Sequence, residues 1–256
     1  GVRIGDHRLD PMYTRFDRRT LYVVEDVTGQ LQRGANAIGV VLGNGWYNHQ
    51  PLAVWNFHQA PWRNRPTFCL ELKIEYTDGT QETVVSDKQW KTASGPIIYN
   101  NIYTGEHYDA RIDMPGWDMP KFEDSAWQAV QYRTAPSTYI VSQQMVPIRL
   151  GKVFRPKSVT KIDHRTYVFD MGQNMAGITR IQVKGPRGTV LRIKHGERLQ
   201  SDGRLDQSNI DVYYLGDKES EPFQTDILTL SGRDDEFMAK FGYKGFRYVE
   251  VSSSTA

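Results

Sequence analysis

The chain has 256 residues, of which 39% are hydrophobic, 12% aromatic and 24% charged, and its formal net charge is +2. This length suits two domains of ordinary size, and the composition is that of a globular protein. A net charge so near zero argues against a nucleic-acid binder, and no apolar run reaches the roughly 20 residues that a membrane helix requires.

The dominant pattern along the chain is the two-residue alternation of apolar and polar side chains, which is typical of strands with one buried face. It is clearest between Leu70 and Tyr76. Asp78-Gly79 follows, and residues 81–85 form the next run. Because Asp-Gly accommodates the positive φ angles of a type I′ turn, we predict a hairpin here. A second hairpin is predicted where residues 178–183 and 190–194 flank a turn at residues 184–188.

Other short strands are separated by Gly, Pro, Asn and Asp, and helical signals occur only near residues 26–33 and 124–129. This pattern predicts an all-β fold with two antiparallel β-sandwich or jelly-roll domains in tandem. The boundary is placed near Val146-Pro147, and both ends of the chain are expected to be cut. The remaining strands are predicted, in chain order, at residues 20–24, 37–42, 137–141, 166–169, 212–215, 226–230 and 247–251.

A loop without strand periodicity, at residues 44–66, concentrates aromatic and amide side chains. Aromatic rings cover the apolar C–H face of a sugar while amides meet its hydroxyl groups. The carbohydrate-binding candidates of this loop are Trp46, Tyr47, Trp55 and Trp62. The competing interpretation, which we favour, is that these rings close the open end of a sandwich or pack on a neighbouring domain.

The segment at residues 100–111 combines turn residues, aromatic rings and paired charges. Glu106 and Asp109 lie three residues apart, and a glycosidase needs two carboxyl groups roughly 5 to 9 Å apart across its substrate. We favour a structural role, in which both carboxylates hold Arg111 or loop amides in place, and assign no catalytic residue. The candidate sugar contacts of this segment are Asn101, Tyr103, Glu106, Asp109 and Arg111.

Two sets of side chains raise the question of a bound metal. The oxygen atoms of Asn100 and Asn101 could accept calcium, but turn formation is the simpler explanation because the spacing matches no calcium loop. His195 and Glu197 share one face of a predicted strand without an evident third ligand, which favours a buried histidine that a neighbour satisfies. Neither a metal ligand nor a cofactor is predicted, and calcium is kept as the alternative. Residues 170–177, with two glycines, are predicted as a turn between strands.

Four segments in the same order resemble the bacterial α-L-rhamnosidases, multi-domain glycoside hydrolases that cleave terminal rhamnose. The resemblance covers nearly the whole chain, and the shared order of the segments makes it specific. The segments are residues 1–11 (GVRIGDHRLDP), residues 26–47 (with GANAIGV and LGNGWY), residues 102–117 (with IYTGEHYDAR and PGW) and residues 167–251 (with YVFDMGQNMAG, HGE and GYKGFRYVEV).

The resemblance implies that residues 1–147 are the N-terminal jelly-roll domain of such an enzyme, without its first strands. It implies that residues 148–256 are the concanavalin-like β-sandwich. The catalytic α/α barrel, with the acid pair of an inverting mechanism, would lie outside this sequence, so the fragment alone is expected to be inactive. The implied partners are a rhamnose-containing glycan and the catalytic domain of the parent chain, with neither nucleic acid nor membrane.

Two other functions stay open at this point. A free-standing carbohydrate-binding module would bind glycans without a barrel, whereas an interdomain scaffold would bury its aromatic residues at an interface. The single cysteine, Cys69, allows no internal disulfide. The compartment is therefore unknown, with a periplasmic or secreted location favoured over a cytoplasmic one.

Overall fold

The computed structural model describes residues 1–255, and β-strands are its main regular structure. Its two helices are single 3-10 turns, at Phe57–Gln59 and Ala110–Ile112. Within residues 1–255, no helix has the length and apolar character to cross a membrane. The predicted all-β class is confirmed, whereas the arrangement as two tandem sandwiches and the boundary at residue 147 stay predictions.

The strands are short in the first half of the chain and longer in the second. They are β1 (His7–Arg8), β2 (Thr20–Tyr22), β3 (Glu71–Glu75), β4 (Gln81–Val85), β5 (Lys91–Thr92), β6 (Ile97–Asn100), β7 (Glu106–Asp109), β8 (Gln128–Ala129), β9 (Ile140–Ser142), β10 (Ile148–Arg149), β11 (Ser158–Lys161), β12 (Thr166–Gly177), β13 (Arg180–Lys184), β14 (Val190–Gly196), β15 (Arg198–Leu199), β16 (Leu205–Asp206), β17 (Thr225–Thr229), β18 (Asp234–Met238) and β19 (Lys244–Ser253).

The largest sheet has seven strands in the order β11-β12-β19-β14-β17-β7-β6. Strands β6 and β7 come from the first half of the chain, so this sheet crosses the predicted boundary at residue 147. The link is a parallel ladder between β7 and β17, in which His107 lies opposite Ile227. A second parallel ladder joins β2 and β9. The alternation of side chains is the same in parallel and antiparallel strands, so it could not reveal these two exceptions to antiparallel pairing.

The main core lies between the seven-stranded sheet and the separate β13–β18 ladder. Ile193 and Leu228 of the large sheet are fully buried, and Phe237 of β18 packs into the same cluster. Ile181 and Val183 cover it from β13. Each fully buried side chain of this size contributes about 1.5–3 kcal/mol, so this core holds the second half of the chain together.

The predicted hairpin at residues 70–85 is confirmed by β3 and β4, in which Glu75 lies opposite Gln81. The predicted type I′ turn is wrong, because it needs a positive φ at both Asp78 and Gly79 and only Gly79 has one, at 81°. The N–H of Gly79 donates to the carbonyl of Tyr76 at 2.9 Å, so the turn is built on residues 76–79. The second predicted hairpin is wrong, because β13 pairs with β18 while β14 pairs with β17 and β19. The apolar residues of β13 and β14 meet in one core from two different sheets, so the chain crosses between sheets at residues 184–188 instead of turning within one.

Other predicted elements differ in extent. Strands β2, β9, β12, β17 and β19 confirm the predictions near residues 20–24, 137–141, 166–169, 226–230 and 247–251. Residues 37–42 form no strand, and residues 212–215 contain a single bridge, from Tyr214 to Ala53. A segment forms a strand only where a neighbouring strand is available to pair with it, and the pattern of its own residues does not supply that neighbour. Residues 26–33 contain a turn at residues 28–30, and residues 124–129 contain a turn that leads into β8. Residues 170–177 continue β12 through a bulge between Asp170 and Met175, where Gly172 has a positive φ, instead of turning back.

Candidate functional site

Rings of the loop at residues 44–66 pack into one group, called the aromatic cluster below. Trp46 is its centre, since it stacks on His49 at 5.3 Å and meets Phe57 edge-on at 4.8 Å. Such pairs contribute roughly 0.5–1.5 kcal/mol each beyond the burial of area. The aromatic cluster comprises Tyr13, Phe16, Trp46, Tyr47, His49, Trp55, Phe57, Trp62 and Tyr103.

Asparagine side chains fasten this loop to β6. The backbone N–H of Asn44 donates to the amide oxygen of Asn100 at 2.7 Å, and Nδ2 of Asn44 donates to the carbonyl of Asn100 at 2.9 Å. The amide oxygen of Asn101 accepts the N–H of Ile102 at 2.8 Å. Both amide oxygens that the sequence suggested for calcium therefore accept hydrogen bonds from the protein itself. Among residues 1–255, no group of three or more His, Cys, Asp or Glu is placed to hold a metal ion.

The aromatic cluster reaches solvent at Trp55, which is 54% exposed. Its ring lies 5.4 Å from that of Tyr213 and 5.9 Å from that of Tyr103. The pairing of Val54 with Tyr213, through an N–H···O bond of 3.2 Å, holds the two chain segments side by side. Trp55 and Tyr213, which is 55% exposed, thus form an exposed pair of rings, called the platform below. Their planes are tilted by 46°, so a sugar ring can stack on one of the two rings at a time.

Glu106 of β7 is a buried carboxylate with 2% of the residue exposed. Its Oε2 atom accepts the backbone N–H groups of Lys240 at 2.9 Å and of Phe241 at 3.1 Å. Burial raises the pKa of Glu106, and these two donors oppose the rise. The buried side chain of Arg8 donates to the carbonyl of Ala239 at 2.6 Å. Glu106 and Arg8 therefore both anchor the segment that follows β18.

A buried ion pair lies beside Glu106. Asp226 of β17, which is 1% exposed, accepts the Nζ of Lys244 at 2.7 Å and the backbone N–H of Glu106 at 2.9 Å. Gly105 permits this approach, because a Cβ on it would lie 2.6 Å from a carboxylate oxygen of Asp226 and closer still to the carbonyl oxygen of Thr225. The chemistry of this region holds β7, β17 and β19 together.

Asp109 closes β7 and faces Arg111 in a two-pronged ion pair. Its two carboxylate oxygens accept Nε of Arg111 at 2.9 Å and Nη2 at 2.7 Å, and one of them also accepts the backbone N–H of Arg111. The Arg111 guanidinium lowers the pKa of Asp109. Both oxygens are thus engaged locally, the geometry expected of a charge-assisted structural contact.

Three enclosed histidines have depressed basicity. Burial lowers the pKa of His49, His107 and His195 to about 4 in each case. Nδ1 of His195 donates to the carbonyl of Gln224 at 3.1 Å, so its Nε2 accepts the Thr179 hydroxyl at 2.7 Å. Both ring nitrogens of His49 lack a hydrogen-bond partner among residues 1–255.

The structure divides the nine predicted sugar contacts by exposure, and their binding role stays a prediction. The sequence did not identify the partners of Glu106, because Asp226 and Lys240 follow it by more than a hundred residues and alternation does not encode such pairs. His49 carried a local signal, since it follows Trp46 by three residues and comes directly after the turn at residues 45–48. Trp55 and Arg111 are exposed, Trp46, Tyr47, Trp62 and Tyr103 are half-buried, and Asn101, Glu106 and Asp109 are buried.

Comparison with known families and proteins gives consistent matches along the chain. The model of the alpha-L-rhamnosidase N-terminal domain matches residues 1–152, and that of the bacterial alpha-L-rhamnosidase concanavalin-like domain matches residues 160–256. An alpha-L-rhamnosidase of Streptomyces avermitilis is 36% identical over 255 residues, which cover 98% of this chain and 24% of that protein.

Solved structures give the same result. The alpha-L-rhamnosidase of Dictyoglumus thermophilum superposes with a TM-score of 0.86 at 36% identity, over 98% of this chain and 27% of that one. The Streptomyces avermitilis enzyme complexed with L-rhamnose gives a TM-score of 0.85 at 34% identity, over 98% and 24%. The chain thus spans about a quarter of the length of these relatives. It belongs to the bacterial α-L-rhamnosidase family, whose N-terminal and concanavalin-like domains its two halves match.

Proposed function

We propose that this chain is the non-catalytic N-terminal portion of an α-L-rhamnosidase, which supports a catalytic domain that hydrolyses terminal rhamnose from glycosides. The proposal draws on the relatives, which are alpha-L-rhamnosidases about four times as long as the region they share with this chain. The partners would be that catalytic domain and a rhamnose-containing glycan.

The observation that carries the non-catalytic role is the burial of Glu106 together with the two-pronged ion pair of Asp109. A glycosidase needs one carboxyl group to meet the leaving oxygen and a second to meet water or the sugar, on either side of an open site. Glu106 is enclosed with two backbone donors, and Asp109 is bound to Arg111 through both oxygens. Neither carboxylate has the free access to substrate that catalysis requires.

The test compares residues 1–256 with the full-length protein in the hydrolysis of an aryl rhamnoside that releases 4-nitrophenol. We expect release by the full-length protein and none above background by residues 1–256. Glu106→Gln in the full-length protein keeps one oxygen acceptor for the two N–H groups, so its kcat and KM per folded molecule should stay unchanged. The proposal would be contradicted if residues 1–256 released 4-nitrophenol and the Glu106→Gln substitution in this fragment abolished that release.

A second candidate function, sugar binding by this region, is favoured by the exposed platform of Trp55 and Tyr213. Most of the other candidate rings are covered by neighbours, so the platform is where a sugar would stack. Such a region would act as an accessory subsite of the enzyme or as a free-standing carbohydrate-binding module.

Calorimetry with rhamnose and rhamnose-containing oligosaccharides tests this second function. Trp55→Ala should weaken binding by at least about tenfold, since a well-placed aromatic contact is worth on the order of 1.4 kcal/mol. Tyr139→Ala is the matched control, because Tyr139 is 64% exposed and belongs to no aromatic pair among residues 1–255. Equal heats for the wild type and Trp55→Ala would exclude the platform as the binding surface.

A further inference from the structure

A continuous exposed segment of positive charge joins β10 to β11. Every residue from Arg149 to Lys161, called the basic strip below, is exposed. The basic strip has five cations and no Asp or Glu, and removing these five from the 32 basic residues leaves 27 against 30 acidic ones. The chain outside the basic strip is therefore net negative, and the positive excess of the molecule is concentrated here. The five cations are Arg149, Lys152, Arg155, Lys157 and Lys161.

The chain itself leaves most of these charges without a counter-charge. Arg149 pairs with Asp6 at 2.8 Å. Within residues 1–255, the other four cations have no carboxylate within salt-bridge distance, and Lys161 lies 5.7 Å from the ring of Tyr167. The cause is in the sequence, because no acidic residue occurs between Asp124 and Asp163.

Apolar side chains alternate with the cations and are exposed with them. Val153 is 95% exposed, Leu150 56% and Val159 53%. Exposed apolar groups within a charged frame are typical of protein interfaces. Aliphatic side chains gain little from a polysaccharide or a nucleic acid, whereas they gain from the apolar centre of a protein surface.

Both ends of the basic strip are held in strand ladders. β10 pairs with β1, and β11 pairs with β12 at the edge of the seven-stranded sheet. Residues 151–156 between them belong to no strand. A segment held at both ends loses less conformational freedom on binding than one with a free end.

We propose that the basic strip docks on an acidic surface with an apolar centre, located in the part of the full-length protein outside residues 1–256. This inference rests on the proposed function, which gives the chain a larger parent protein. The occupant follows from the unpaired charge of the basic strip and from the relatives, in which about three quarters of the sequence lies outside the shared region.

The test uses the full-length protein and zero-length carbodiimide cross-linking, which joins lysines to contacting carboxylates. Mass spectrometry should find Lys152, Lys157 or Lys161 joined to Asp or Glu outside residues 1–256. Acetylation of these lysines should be about tenfold slower than that of Lys73 and Lys184, whose side chains are 79% and 74% exposed. Equal acetylation rates would overturn the proposal.

Charge reversal supplies the second readout. The variant Lys152→Glu/Arg155→Glu/Lys161→Glu should lose the cross-links and raise acetylation of Lys157 to the rate of Lys73. The control Arg18→Glu/Arg65→Glu/Lys121→Glu changes net charge equally at exposed, scattered cations and should keep both.

Two further results would overturn the docking proposal. Cross-links between labelled and unlabelled copies would assign the basic strip to self-association, and protection only on addition of an acidic polysaccharide would assign it to a glycan. Rhamnoside hydrolysis by the same preparation separates this test from that of the proposed function. Active protein with reactive lysines rejects the docking alone, whereas cross-linked but inactive protein rejects the proposed function alone.

Discussion

The imidazole of His49 is enclosed by aromatic rings at the centre of the aromatic cluster, stacked on Trp46 and edge-on to Tyr103 at 4.9 Å. Neither of its nitrogens has a hydrogen-bond partner among the described residues. An enclosed neutral imidazole must leave its apolar surroundings or accept an unfavourable charge when it binds a proton. This single side chain therefore couples the loop at residues 44–66 to pH.

The sign of that coupling follows from the depressed pKa of His49, about 4 against the ordinary 6.5. Between these two pKa values, His49 is protonated in the unfolded chain and neutral in the folded chain. The folding stability that is present above pH 6.5 is therefore lost as the pH falls toward 4. His107 and His195 act in the same direction. Glu106, whose pKa is raised, acts in the opposite direction, since its contribution to stability is lost as the pH rises through its folded pKa.

We predict that His49→Phe changes stability at pH 7 by less than about 1.5 kcal/mol, as an aromatic replacement of similar shape. The variant should lose less stability between pH 7 and pH 5 than the wild type, because the phenylalanine side chain cannot take up a proton when the chain unfolds. Urea unfolding of residues 1–256 at the two pH values measures this, with His164→Gln as the exposed control. The same loss in His49→Phe and the wild type would show that His49 is not responsible.

Single residues were the least predictable level from sequence. The residue types at positions 100–111 predicted a network of charged contacts. The pair of Asp109 and Arg111 could be predicted because the two residues lie two positions apart. In contrast, the hydrogen bonds of Glu106 with the backbone of Lys240 and Phe241, and the ion pair of Asp226 with Lys244, form only when the strands assemble. Contacts of such separation depend on topology, which composition and spacing do not contain.

At the scale of elements, the close approach of β7 to β17 depends on a residue without a side chain. Gly105 lies against the backbone of Thr225 and the carboxylate of Asp226. A methyl group there would separate the two strands and disturb the buried ion pair of Asp226 and Lys244. Breaking a buried ion pair by separating its partners costs about 3–5 kcal/mol. The close packing of β7 on β17 therefore contributes more to the free energy of unfolding than one backbone contact would.

Gly105→Ala is accordingly expected to lower the free energy of unfolding of residues 1–256 by about 3 kcal/mol or more. The control is Gly29→Ala, where an added Cβ would meet nothing within 4 Å, and its effect should stay within about 1 kcal/mol. Chemical denaturation measures both variants. A Gly105→Ala protein as stable as the Gly29→Ala protein would mean that β7 and β17 can separate without cost.

Elements with local causes could be predicted and those with distant partners could not. The β3–β4 hairpin is specified by alternation and by Asp78-Gly79, both within one short stretch. For β13 and β14, the same alternation and a glycine-containing turn suggested a hairpin, but each strand pairs with a distant one. The pairing partner of each strand depends on the sheet in which its apolar face becomes buried. That depends on the packing of the whole core, which residues 178–194 alone do not determine.

At the scale of the molecule, the seven-stranded sheet joins the two halves of the chain. Strands β6 and β7 belong to the first predicted domain, yet they extend the sheet of the second. A fragment that begins at residue 148 would leave β17 as an open edge, and open edges associate readily.

Residues 148–256 alone should therefore unfold at a lower denaturant concentration than residues 1–256 and should form larger species in size-exclusion chromatography. A fragment of residues 93–256, which restores β6 and β7, should recover part of the loss. Equal stability of residues 148–256 and 1–256 would instead support independent domains divided at residue 147.

The position of β19 has a consequence for how the protein is made. This strand follows the other six strands of the seven-stranded sheet in the sequence, but it lies between β12 and β14 in the middle of the sheet. During synthesis on the ribosome, the strands on its two sides emerge first and must wait as separate, incomplete pieces with open edges. We therefore expect nascent chains released before Ser253 to be captured by chaperones or to aggregate, with the sheet completed only by its last strand to be translated.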